Sequence, residues 1–228
     1  MKLIASALVS LIAVLAPHAQ SPASESAVPV ASEPRHHLKF ENQYVRVFDV
    51  VVPPGDATLF HTHTNDYAFV SIGDANLKAE VPGNQPGPLV LKDGEVRFTK
   101  GVITHRVTNM SKATFRNITI EIISSPGGKS DGKLLPDIPH HTPVLENDRV
   151  RVERVVLEPG QSTGMHEHAL SGLGVAVSSG KITIESPGQK AQMIDLKPGE
   201  FRWHTGAITH KLTNTGKTRF EAVDIEWK

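Results

Sequence analysis

Three histidines recur twice in this chain with the same spacing. His61 and His63 flank Thr62, and His105 follows; His166 and His168 flank Glu167, and His210 follows at the same interval. Residues two apart on a strand face the same way, about 6–7 Å apart at the backbone. Two imidazoles so placed can tilt toward one ion, because a metal–nitrogen bond is about 2.0–2.1 Å. His105 and His210 lie far enough along the chain to return on another strand. One His-x-His pair is weak evidence, and a surface pair is its ordinary meaning. A third histidine at the same interval in two copies makes a metal site the better reading. Three neutral imidazoles leave coordination positions open. Such a site can polarise a carbonyl, activate water, or hold substrate and dioxygen at iron.

The duplication extends beyond the histidines. Residues 41–123 match 146–228 without a gap, and roughly a third of the positions are identical, so the repeat is read before anything else. Acidic and basic residues balance at 24 each, which argues against nucleic acid as partner. The absence of cysteine removes disulfides, iron–sulfur clusters, thiolate zinc and cysteine nucleophiles together. Lys2, the apolar run Leu3 to Ala16 and the small residues beyond it read as a secretory signal, with a cut after Ala19 or Ala23. The run is too short to span a bilayer comfortably. The expected mature protein is therefore exported, periplasmic or extracellular, with no membrane segment left after signal removal.

The expected organisation is a signal peptide and start of the leader over 1–23, a flexible leader over 24–34, a first barrel over 35–123, a linker over 124–138 and a second barrel over 139–228. The β-branched run from Tyr44 to Val52 ends at Pro53-Pro54-Gly55, and Arg149 to Leu157 ends at Glu158-Pro159-Gly160. Further strands are expected at 59–63, 68–72, 77–81, 89–91, 96–99, 105–108 and 114–123. Many short strands with regular turn signals and no long amphipathic helix point to an all-β sandwich or barrel. The pairs His36-His37 and His140-His141, one before each unit, are expected in solvent. Two packed units of one chain would form an intramolecular pseudo-dimer.

Gly55, His61 and His63, followed by Gly94-Glu95, Gly101, His105 and Asn109, resemble the two signature motifs of the cupin superfamily. Gly160, His166, His168, Gly199-Glu200, Gly206, His210 and Asn214 repeat them. The resemblance covers nearly the whole mature chain and is that of a two-domain cupin, a bicupin. It implies two tandem double-stranded β-helix (jelly-roll) barrels with a divalent metal in each: iron, zinc, manganese, nickel or copper. The family's usual metal-binding Glu, four or five residues after the second histidine, is missing from both copies. Tyr67 and Ala68 stand there in one, Gly172 and Leu173 in the other. Both sites thus read as three-histidine sites: His61, His63 and His105, then His166, His168 and His210.

Asp66 is an outside candidate ligand, reachable through a bulge. Tyr67 is either a phenol near the ion or a barrel-wall aromatic. Arg97 and Arg202, in register, either bind an anionic ligand or form structural ion pairs. His204 is either a proton-transfer group or a polar residue at a barrel mouth. A site without a carboxylate would keep its full ionic charge and favour an anionic small molecule. The functional expectation is a metal-binding bicupin, with dioxygenase-like catalysis on a small molecule as its enzymatic form. The alternative is a non-catalytic bicupin binding a small ligand or metal.

Overall fold

The computed structural model describes residues 26–125 and 138–228. The expected signal segment and most of the expected linker lie outside the described residues. The first unit contains β1 (Val28–Pro29), β2 (His36–Glu41), β3 (Val45–Val52), β4 (His61–His63), β5 (Asp66–Ile72), β6 (Ala75–Glu80), β7 (Gly87–Leu91), β8 (Val96–Thr99), β9 (Ile103–Asn109) and β10 (Phe115–Ile122). The second contains β11 (His141–Glu146), β12 (Val150–Leu157), β13 (His166–His168), β14 (Gly172–Ala176), β15 (Gly180–Glu185), β16 (Gln192–Leu196), β17 (Phe201–His204), β18 (Ile208–Asn214) and β19 (Phe220–Trp227). Each unit is a two-sheet jelly roll. The sheet orders are β1-β4-β9-β6-β7 and β2-β3-β10-β5-β8 in barrel 1, and β13-β18-β15-β16 and β11-β12-β19-β14-β17 in barrel 2.

Strand β3 shows why the longest apolar runs fail to alternate cleanly. Phe48, Val50 and Val52 pack in the interior of barrel 1, whereas Val45 and Val47 join a cluster shared with barrel 2. A strand buried on both faces reads as a continuous apolar run. On β19, likewise, Val223, Ile225 and Trp227 enter the shared cluster with Ile118, Ile120 and Ile122 of β10. The intervening residues of these two strands, Glu226 and Asp224 on one and Glu121 and Thr119 on the other, take the opposite parity and face their own barrel's interior.

Reciprocal arginines lock the two faces. Arg116 donates to Pro198 O (2.7 Å) and pairs with Asp49 in its own barrel, while Arg154 donates to Gly94 O (2.8 Å) and pairs with Glu221. The turn glycines are essential to this contact. Gly94 and Gly199 have φ of +70° and +81°, and a Cβ on Gly199 would lie 2.6 Å from the Arg116 guanidinium. Gly199→Ala is therefore expected to destabilise the fold by about 1–3 kcal/mol in urea unfolding, through backbone strain plus displaced arginine. Gly55→Ala is the control. Its φ is +78° but nothing lies within 4 Å of the new methyl, so only the strain part should appear.

One expectation is corrected here. Residues 26–34, read as flexible leader, are built into barrel 1. Val28 and Pro29 pair in parallel with His61 and Thr62, and Val30 and Glu33 are buried. The strands that begin with His36 and His141 had no clear period of their own, because only their first residues point into the barrels.

Candidate metal centres

The antiparallel pairing of β4 with β9 places His61 directly opposite His105, and β13 with β18 places His166 opposite His210. In barrel 1 the ring centroids of His61 lie 5.2 Å from His63 and 4.4 Å from His105. In barrel 2 His166 lies 4.9 Å from His168 and 4.6 Å from His210. Both expected trios converge.

Each trio has a fourth ring, where solvent was expected. His36 is buried with its centroid 4.5 Å from that of His61, and His141 lies 5.1 Å from His166. The potential ligand atoms of His36, His61 and His63 all lie within 4.8 Å of one another, as do those of His141, His166 and His168. The duplicated position of His36 and His141 in the sequence was the available signal. Their place after a leader or linker, outside the two motifs, masked it.

Backbone and carboxylate acceptors fix the tautomers. The Nδ1–H groups of His61, His141 and His166 donate to Leu59 O, Pro139 O and Gly164 O. Those of His36, His63 and His168 donate to Glu33, Glu121 and Glu226. Such a bond at Nδ1 leaves the Nε2 lone pair for a metal. Accordingly, the Nε2 atoms of His61, His105 and His141 are buried without a hydrogen-bond partner. His166 Nε2 stands 3.0 Å from His168 Nε2 and 3.1 Å from His210 Nε2. Bare lone pairs aimed at each other repel. Ligands at right angles around one ion, with bonds of about 2.0–2.1 Å, would sit about 2.9 Å apart. The residues present fit a divalent metal.

Glu121 and Glu226 were missed in the sequence. They occupy the same position in the two copies, both buried, and each accepts from its histidine at 3.2 Å. Arg46 donates to Glu121 (3.1 Å), and Arg151 stands 3.6 Å from Glu226. The sites therefore do not keep a bare ionic charge, because carboxylates sit directly behind the rings. Barrel 2 adds two more, Glu153 and Asp224, opposite each other on neighbouring strands. Asp224 lies 3.8 Å from His141. Burial would raise its carboxyl, but the histidines offset this and hold it at about 2. Burial pushes the Glu153 carboxyl up.

Burial also depresses the imidazoles: His61 and His166 to about 4, His210 to about 3 and His105 to about 2. These rings are neutral, as ligands must be, well below the ordinary histidine range. The metal-free protein should therefore lose stability as pH falls from about 6.5 toward 4, where the unfolded chain takes up protons that the buried rings refuse. His168, raised by Glu226 against burial, and Glu153 oppose this trend, but the depressed rings outnumber them. Chemical denaturation at pH 7.5, 6 and 5 checks the sign, and a metal-free protein more stable at pH 5 than at 7.5 would refute it.

The remaining expected residues separate by role. Asp66 is engaged elsewhere: it accepts from Gly101 N (2.6 Å) and pairs with Arg149 of barrel 2. Tyr67 is a wall residue whose ring stacks on His63 with centroids 4.0 Å apart. Arg97 forms an ion pair with Glu95. Arg202 and His204 line a cavity of about 270 Å³ inside barrel 2, beside His168 and His210. The Nδ1–H of His204 donates to Gly206 O.

Tandem jelly rolls, each closing around a histidine cluster carried by paired strands, define a two-barrel protein of the cupin fold. Known structures agree with that fold. AerE from Microcystis aeruginosa superposes with a TM-score of 0.60 at 13% identity, over 86% of this chain and 98% of that one. Oxalate decarboxylase from Bacillus subtilis superposes at 0.56 and 11% identity, over 92% and 79%. Salicylate 1,2-dioxygenase from Pseudoaminobacter salicylatoxidans, with gentisate bound, gives 0.56 and 12%, over 81% and 68%. No protein-family model and no curated protein matches the sequence.

Proposed function

We propose that this chain is an exported bicupin holding one divalent metal in each barrel, and that it acts as a metal-dependent, dioxygenase-like enzyme on a small molecule. The observation that carries the metal reading is the convergence of buried, unpartnered or mutually facing Nε2 atoms in both barrels. His61, His63 and His105, with His36, would hold one ion; His166, His168 and His210, with His141, the other. The bound ion would supply Lewis acidity and open positions for substrate or dioxygen. The protein's part is to keep most of the rings neutral by burial, to orient His63 and His168 through Glu121 and Glu226, and to close the site from water. The enzymatic reading draws support from the two structural neighbours that are enzymes, one described with Mn(II) centres and one with gentisate. Export rests on the N-terminal sequence.

Elemental analysis of tag-free protein is the test. Two equivalents of a divalent metal per chain are expected, with a lowered melting temperature after chelation. Protein that purifies metal-free and shows no thermal shift with added Fe(II), Mn(II), Zn(II), Ni(II) or Cu(II) would sink the reading.

A further inference from the structure

The two barrels share a fold and a histidine cluster but not an interior. In barrel 1 the space next to His63 is taken by the Tyr67 ring, and Phe48 and Phe69 fill the rows behind it. The corresponding positions in barrel 2 are Gly172, Glu153 and Gly174. Beside both glycines a neighbouring side chain takes the space that a Cβ would need. A Cβ on Gly172 would lie 2.5 Å from His204 Nε2, and one on Gly174 would lie 2.8 Å from Asp224 Oδ1. Without these three aromatic side chains, barrel 2 has the cavity that reaches His168 and His210, together with His204 and Asp224 where barrel 1 has Thr99 and Thr119.

The walls of that cavity are aliphatic: Ile182, Ile184, Ile194 and Leu212. Of its polar groups, His204, Asp224 and Glu226 stand with His168 and His210, whereas Gln189, Lys190, Gln192, Glu200 and Arg202 are exposed. Asp224 keeps 20% of its side-chain surface accessible there although its surroundings are closed, so a carboxylate oxygen faces the cavity as an acceptor. Glu153 and Glu226 stand close behind, each with one buried oxygen lacking a hydrogen-bond partner. A carboxylate oxygen accepts and has no hydrogen to donate, so Asp224 suits a ligand that brings a hydroxyl hydrogen to this end and not one that brings only acceptors. Arg202 and Lys190 lie exposed at the outer end, where solvent screens them.

Resting on the metal reading above, we propose that barrel 2 is the ligand-taking barrel. Its ligand is a small, uncharged, hydroxyl-bearing molecule with an apolar body, and Asp224 accepts the hydroxyl hydrogen beside the histidine cluster. Barrel 1, closed by Tyr67, Phe48 and Phe69, takes no such ligand.

The test uses the full chain with phenol and benzoate as probes, titrated by ligand-observed NMR, with metal content measured on every sample. Phenol is expected to bind saturably and more tightly than benzoate. Asp224→Thr, which installs the barrel 1 residue, should weaken phenol about tenfold or more, the loss of a hydrogen bond to a charged acceptor. Gly174→Phe, which installs the barrel 1 aromatic, should abolish binding. Should Gly174→Phe not fold, Asp224→Thr alone decides. Tighter binding of benzoate, no saturable phenol binding at millimolar concentration, or unchanged affinity in Asp224→Thr would overturn the proposal. Metal content separates the two readings: parent protein that binds phenol as expected but holds no metal refutes the metal assignment and leaves the pocket.

Discussion

His166→Ala is expected to leave one metal equivalent per chain, His61→Ala to leave the other, and the double variant none. His166 is the hub of its cluster, with its Nε2 within 3.1 Å of the Nε2 atoms of both His168 and His210. Removing it takes away the ring nearest the other three, and leaves His168 with ring centroids 5.1 Å from His210 and 6.1 Å from His141. His61 occupies the same place in barrel 1, with its ring nearest those of both His36 and His105. Glu226→Ala should give a graded version of this result. His168 loses the acceptor that orients it and Arg151 loses its partner, and losing such a supporting carboxylate typically costs 10–100-fold in metal affinity. Glu121→Ala should do the same in barrel 1 through His63 and Arg46. Metal-buffered titration with elemental analysis reads both series. Full occupancy in His166→Ala would mean that the cluster does not bind as a unit.

Trp227→Ala is expected to be the most damaging single change outside the metal clusters. Trp227 is 1% exposed, closes the last strand of barrel 2 and packs edge-on against Trp203 at 5.3 Å. It belongs to the apolar cluster that joins the barrels, whose rim includes Phe40 and Tyr44 of barrel 1 against Trp203. Removing a buried indole costs about 3–5 kcal/mol. Trp227→Phe should cost much less, because it keeps most of the volume and removes an indole N–H that has no partner in the described structure. Urea unfolding distinguishes the two. Because one cluster serves both barrels, the parent should unfold in a single transition, and two resolved transitions would show that the shared face contributes little.

The fold was legible because its signals are local and were written twice. The β-branched runs, the Gly and Pro turns and the His-x-His pairs recur at one spacing, and a strand's two-residue period carries His61 and His63 to one face without further information. What failed to register in the sequence depends on distant pairing. His36 and His141 sit on strands whose other residues are mostly exposed, so no periodic pattern announced them; only their placement across from the metal motifs makes them ligand candidates. Glu121 and Glu226 are identities of the repeat that the sequence reading passed over, because nothing local marks them as facing inward behind His63 and His168.

The sequence by itself determined that one β-rich unit occurs twice with a histidine trio in each copy, and its motif resemblance supplied the barrel and the expected acid that both copies lack, because composition, spacing and duplication are one-dimensional. Tertiary structure alone decided which carboxylates stand behind the rings, that a fourth histidine joins each trio, and that a cavity reaches His168 and His210 in barrel 2 while Tyr67 stacks on His63 in barrel 1. Those outcomes depend on which strands become neighbours. Substituting Gly172 and Gly174 for Tyr67 and Phe69 changes two letters, but it opens a cavity only because β19 and β17 bring Asp224 and His204 against those glycines.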